Sequence, residues 1–181
     1  MKQVFIACLL ALLGLNASAQ FSKANLQASG LTCALCTKAI NNSLEQLSFI
    51  QSVKPDIKTS SFLIEFKAGA DIDIDALRKG VEDAGFSVAK LQLTGTFDQL
   101  PVAQDDHATI NGKTFHFLAV KKQTLTGEQV LTIVDKNFIP AKEFKKYSKS
   151  SSMSCVQTGK AGDCCKKEGL SADSRIYHVT I

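Results

Sequence analysis

The chain has no tryptophan and only three prolines, two tyrosines and two methionines among its 181 residues. So little proline, beside eleven glycines, excludes collagen-like and Pro-rich low-complexity architectures. Beyond residue 20 no window holds the roughly 18 consecutive apolar residues of a membrane-spanning helix, so no membrane insertion of the mature chain is expected. Charge of one sign is also scarce. The 21 basic and 17 acidic residues leave a formal net charge of +4, far from the dense basic stripe of a nucleic-acid binder, and nucleic acid is not an expected partner. No Ser/His/Asp grouping, phosphate loop or pair of catalytic carboxylates stands out, so an enzyme is not indicated. What remains is 45% apolar and 21% charged, enough to build real cores in one large domain or two small ones.

Residues 1–19 carry Lys2, an apolar run over 4–15 and then Ala17-Ser18-Ala19 before Gln20. This is the pattern of a secretory signal peptide cleaved after Ala19, and it predicts an exported, periplasmic protein. Cys8 would leave with the signal, and Cys33, Cys36, Cys155, Cys164 and Cys165 would remain. In an oxidising compartment unprotected pairs tend toward disulfides, and an odd count leaves at least one thiol unpaired in a monomer.

From Phe21 to Leu93 the periodicity predicts strand, helix, strand, strand, helix, strand. Ala24, Leu26 and Ala28 alternate, while Cys36, Ile40, Leu44 and Leu47 recur at helical spacing. Strands are expected over 50–57 and 61–67. Ile74, Leu77, Val81 and Ala84 mark a second helix closed by Gly85, and Val88 with 91–93 supplies a fourth strand. This βαββαβ order over residues 20–95 is an α+β, ferredoxin-like arrangement.

Residues 96–106, polar and holding Pro101, read as a linker. A small β-rich domain is expected over 107–181, with an OB-like barrel as one form of it. Asn111-Gly112 signals a hairpin between Ala108 and Val120, with further strands at 130–134 and 175–181 and a short helix or turn at 141–149. Residues 148–174 then form a long loop rich in Ser, Lys and Gly that holds three cysteines.

The sharpest feature is Gly30-Leu31-Thr32-Cys33-Ala34-Leu35-Cys36, a CxxC at a loop-to-helix junction. A helix N-terminus, with free N–H groups and partial positive charge, favours thiolates. Soft-metal binding, thiol-disulfide exchange and half of a zinc site all use such a pair. The absence of tryptophan and of Gly-Pro between the cysteines argues against a redox enzyme, and Cys164 and Cys165, adjacent rather than suitably spaced and in the other expected domain, make a four-cysteine zinc site less expected still.

With these residues, Ile40 and Leu44 of the first helix and Glu82-Asp83-Ala84-Gly85-Phe86, the chain over about 22–94 resembles the heavy-metal-associated domain family. That family includes small copper chaperones, modules of copper-pumping ATPases and periplasmic mercury-binding proteins. The resemblance implies capture of Cu(I), or of Hg(II) or Zn(II), by Cys33 and Cys36. It also implies handover by ligand exchange to a metal-transporting ATPase or another metal-receiving protein. Leu31 stands where the family usually has Met and is expected to steady the loop from the core side, at a cost below about 1.5 kcal/mol. Thr32 flanks the pair, and Phe86 would shield the metal. The alternatives are a thiol-disulfide redox protein and an interaction module with structural cysteines.

Other residues have plainer readings. Asp71, Asp73, Asp75 and Glu82 imitate a calcium loop, but Ala76 replaces the needed glycine and the apolar spacing demands a helix with an acid-capped start. Cys155, Cys164 and Cys165 are read either as a disulfide plus a free thiol or as a second soft-metal site. His116 and His178 are expected on a sheet surface or hydrogen-bonded, and His107, near the expected linker, could join a metal site though nothing in the sequence compels it.

Overall fold

In the computed structural model, residues 20–31, 33–168 and 170–181 are described. The predicted signal peptide, and Thr32, lie outside them. The first strand, β1 (Gln20–Ser29), buries Phe21, Ala24, Leu26 and Ala28. Helix α1 (Ala34–Glu45) follows and buries Thr37, Ile40 and Leu44 against the sheet. Strands β2 (Ile50–Asp56) and β3 (Ser61–Phe66) come next, with Phe62, Ile64 and Phe66 turned inward and Leu63 outward. Helix α2 (Ile74–Asp83) is capped by Asp73, whose Oδ1 accepts from Ala76 N–H at 2.9 Å. It ends where Gly85 takes φ +87° and Phe86 N–H returns to Val81 O at 3.1 Å. Burying each large core side chain is worth about 1.5–3 kcal/mol, so Leu26, Ile40, Phe62 and Leu77 fix how the helices sit on the strands.

The rest comprises β4 (Ser87–Val102), β5 (His107–Ile110), β6 (Lys113–Phe117), β7 (Gln123–Ile133), α3 (Ala141–Tyr147), α4 (Cys155–Thr158), a 3-10 turn (Asp163–Glu168) and β8 (Ile176–Thr180). Among the described residues all eight strands join one sheet in the order β2-β3-β1-β4-β7-β8-β6-β5. The first four strands are antiparallel neighbours in the ferredoxin-like order, and the β-rich remainder extends the same sheet. The OB-like barrel is not seen, since the sheet is open with β2 and β5 at its edges.

The linker expectation also needs correcting. Residues 96–102 are the second half of β4, and only 103–106 form a turn. Strand β4 pairs with β1 over Ser87–Thr96 and with β7 over Leu91–Val102, so the two halves share a strand. Pro101 is tolerated because β4 has run past β1 by then, leaving one edge with no ladder bond to lose.

The sheet is covered on both faces in its second half. Phe115, Phe117, Tyr177 and Val179 join the main core that α1 and α2 close. Leu118, Val134, Ile139, Cys155, Val156, Ala161, Cys165 and Ile176 form a second core. The segment expected as a long loop therefore carries structure. It is tied down by a bridge between Lys160 and Arg175 and buries α4 and the 3-10 turn against the strands.

Candidate metal centres

Cys33 is the N-cap of α1. Its backbone is extended, and its Sγ accepts from Cys36 N–H at 3.2 Å. Cys33 O accepts from both Thr37 N–H (3.2 Å) and Thr37 Oγ1 (3.3 Å), so the buried Thr37 pins the cysteine to the first turn. Gly30 enters the loop at φ +78°, a conformation natural only to glycine. Cys33 and Cys36 are joined as a disulfide with their Cα atoms 5.4 Å apart. Cys33 is exposed and Cys36 half-buried, and Leu35 between them is 79% exposed. Leu31 and Phe86 are half-buried and pack on the main core.

A second constellation lies across β5, β6 and β8. The Asn111-Gly112 turn pairs His107 with His116, and the parallel pairing of β6 and β8 sets His116 beside His178. The three imidazoles form a row. The His107 and His116 rings stack with centroids 4.3 Å apart, and those of His116 and His178 meet edge-on at 5.0 Å. Of the two expected positions for His116 and His178, the surface one is corrected and the hydrogen-bonded one holds: both are fully buried, because α4 and the 3-10 turn cover this face, and they bond to Asp105 and Asp135. His116 Nε2 lies 3.0 Å from Asp105 Oδ1, and its Nδ1 lies 3.6 Å from Cys155 Sγ. An ionised carboxylate only accepts, so the proton sits on Nε2 and the Nδ1 lone pair faces the thiol.

Cys155, Cys164 and Cys165 are all free thiols. The disulfide reading is not realised among them: Cys164 and Cys165 Sγ are 3.4 Å apart and unbonded. Cys165 Sγ lies 3.8 Å from His107 Nε2. The sequence reading did not give His116 a place in a donor cluster, and it singled out neither Asp105 here nor Thr37 beside Cys33. A signal for the first existed: a two-residue turn at 111–112 makes 107 and 116 cross-strand partners by arithmetic.

The electrostatics differ across the cluster. Burial pushes the Cys155 and Cys165 thiols up, so they stay protonated in the metal-free protein. Burial also raises Cys164, but hydrogen bonds from Ser154 and from its cysteine neighbours outweigh this and bring it down to about 6. Burial, followed by the charges of His107 and His178, lowers His116 from 6.5 to about 4, with Asp105 pulling the other way. A histidine depressed on folding contributes stability that is complete above its unfolded pKa and is lost as pH falls through its folded one. The urea midpoint of the metal-free protein should therefore fall as pH drops from about 6.5 to about 4, and a flat midpoint would show that His116 ionises inside the fold.

Residues 25–87 match the model of the family described as the heavy-metal-associated domain. The chain is similar to the copper-transporting ATPase 1 of Rhizobium meliloti, at 23% identity over 111 residues, covering 61% of this chain and 13% of that one. It is likewise similar to a probable copper-exporting P-type ATPase of Archaeoglobus fulgidus, at 23% over 95 residues, covering 52% and 10%. The chain thus spans only about a tenth of the length of these relatives. Among solved structures, the CopZ metallochaperone aligns with TM-score 0.35 and 18% identity, over 38% of this chain and 100% of that one. Apo-CopP from Helicobacter pylori aligns with TM-score 0.33 and 25% identity, over 37% and 98%.

Proposed function

We propose that the first half of the chain carries soft metal ions in an exported, periplasmic protein, with Cu(I) as the main cargo and Hg(II) or Zn(II) as other ions of suitable softness. Reduced Cys33 and Cys36 take the ion as a dithiolate. A receiving protein, such as a metal-transporting ATPase, then removes it by adding its own thiolate. The observation that carries this reading is a cysteine pair on the exposed first turn of α1, inside the segment that matches the heavy-metal-associated family.

The chemistry follows from that placement. Two thiolates satisfy a soft d10 ion without saturating it, and free N–H groups at the helix start offset their charge. Exposure of Cys33 and Leu35 leaves room for an incoming ligand and an apolar rim for a partner. Export rests on residues 1–19.

Anaerobic titration of reduced protein with Cu(I), in competition with a chromophoric chelator, tests the reading. One equivalent should disappear in a Cys33→Ser/Cys36→Ser variant whose far-UV circular dichroism matches the parent. If the variant binds as much as the parent, the carrier reading fails. The disulfide itself favours a second reading, thiol-disulfide exchange. That reading expects reductase or oxidase turnover with no metal present, and the absence of turnover would dismiss it.

A further inference from the structure

We infer that Cys155, Cys164 and Cys165, with His107 and His116, form a second metal centre, in which four of these five donors hold one tetrahedral d10 cation of the Zn(II) class. It is separate from the Cys33 and Cys36 pair. The donor atoms of His107, His116 and Cys155 lie within 4.8 Å of one another, as do those of Cys155, Cys164 and Cys165, so Cys155 belongs to both groups.

The spacing suits an ion. Zinc bonds of about 2.3 Å to sulfur and about 2.0–2.1 Å to nitrogen give a tetrahedron whose edges are about 3.4–3.8 Å. The separations found are 3.4 Å between Cys164 and Cys165 Sγ, 3.6 Å from Cys155 Sγ to His116 Nδ1, and 3.8 Å from Cys165 Sγ to His107 Nε2. The thiols are near enough to share a ligand and yet unbonded to one another.

The surroundings fit as well. Asp105 holds His116 by Nε2 and leaves Nδ1 for the ion, the carboxylate-histidine support that orients metal ligands. Leu118, Val134, Val156 and Ile176 surround the buried thiols and keep water away. In such apolar surroundings a mixed set of thiolates and neutral imidazoles balances a dication better than a monocation, because less net charge stays buried. Entry is open from one side, where Cys164 is half-buried and His107 lines a surface cleft with Ala108, Thr109, Thr114 and Leu170. Strands β5 and β6, α4 and the 3-10 turn contribute donors from four places in the chain, so binding would lock the second core together.

The test uses the full chain carrying Cys33→Ser and Cys36→Ser, so the inference stands or falls apart from the carrier reading. Co(II) is the probe, and Zn(II) the competitor. One equivalent of Co(II) should give thiolate-to-metal charge-transfer bands and intense tetrahedral d–d absorption, both bleached by one equivalent of Zn(II). Adding Cys155→Ala should weaken binding by more than about a hundredfold, since even support residues behind a ligand cost about 10–100-fold. If that buried change prevents folding, Cys164→Ser with His107→Ala removes one donor from each group at half-buried positions and should show the same loss. No binding, weak octahedral absorption, or binding that survives the donor changes in a folded variant would overturn the inference.

Discussion

Arg175→Met should lower stability by about 3–5 kcal/mol, far more than any exposed ion pair here. The guanidinium ties three parts of the molecule together. Its Nε reaches Asp75 Oδ2 on α2 at 3.0 Å, its Nη2 reaches Asp135 Oδ2 at 2.8 Å, and its Nη1 donates to Gly159 O at 3.2 Å and to Ile176 O. Tyr177 supports the same knot, lying under the guanidinium with 4.1 Å to its ring centroid and donating its hydroxyl to Asp75 at 3.0 Å. Asp135 is 4% exposed, so removing the cation strands its carboxylate in the interior with His178 as its one other side-chain counterpart among the described residues. By contrast, Lys79 and Asp83 are both well exposed, and Lys79→Met should cost at most about 1 kcal/mol.

At about 2–4 °C per kcal/mol for a chain of this size, the Arg175 variant should melt roughly 10 °C lower. Adding Asp135→Asn should recover part of the loss, because the stranded charge is gone. A loss below about 1 kcal/mol, or no recovery, would mean that Asp135 finds another partner. The acid side offers a second check. Half-burial raises the Asp75 carboxyl, but Arg175, Tyr177 and Arg78 outweigh it and hold its pKa below 3.8. A depressed carboxylate gives stability that is present above its unfolded pKa and disappears as pH falls through the folded one. The wild-type protein should therefore lose this contribution below about pH 4, a loss the Arg175 variant has already taken.

The knot was invisible in the sequence because its partners are about 40 and 100 residues apart, and Asp75 reads locally as one more acid at a helix start. The first half was legible because its signals are local. Alternation marks β1 and β3, period 3.6 marks α1 and α2, and Gly85 marks an end. Strand β4 was readable only in part. Gln99 sits at φ +51°, and the register with β7 slips between Phe97 and Leu100, so alternation breaks just where the strand continues. The partner that makes 96–102 a strand, β7, lies over twenty residues on. The histidine row failed for another reason. Phe115-His116-Phe117 reads as core on one side and surface on the other, and no short window reveals that 141–174 folds back over the second side. The CxxC pair, in contrast, announces its position by itself, since loop, cap and helix are consecutive in the chain.

Reduction should change Cys33 and Cys36 from a pair that binds no soft ion to one that binds an ion stoichiometrically, the largest functional effect expected for this protein. A disulfide offers no thiolate, so the bonded form has nothing to donate with the charge a soft cation needs. The converse follows by linkage. An ion that binds only the dithiol stabilises it by RT ln(1 + [L]/Kd), so the midpoint potential of the pair should rise by about 30 mV for each tenfold increase of free ion above Kd. Equilibration in redox buffers at several free Cu(I) levels, followed by alkylation and mass analysis of the peptide holding Cys33 and Cys36, reads this couple without interference from the other thiols. A slope near 30 mV per decade ties the redox state of the pair to its cargo. A potential indifferent to the ion would detach the disulfide from metal binding and leave thiol-disulfide exchange as the chemistry of the exposed N-cap. On the proposed carrier function the same linkage predicts that, in an oxidising compartment, the ion itself would protect the pair, so that loaded protein would resist oxidation and emptied protein would close into the disulfide.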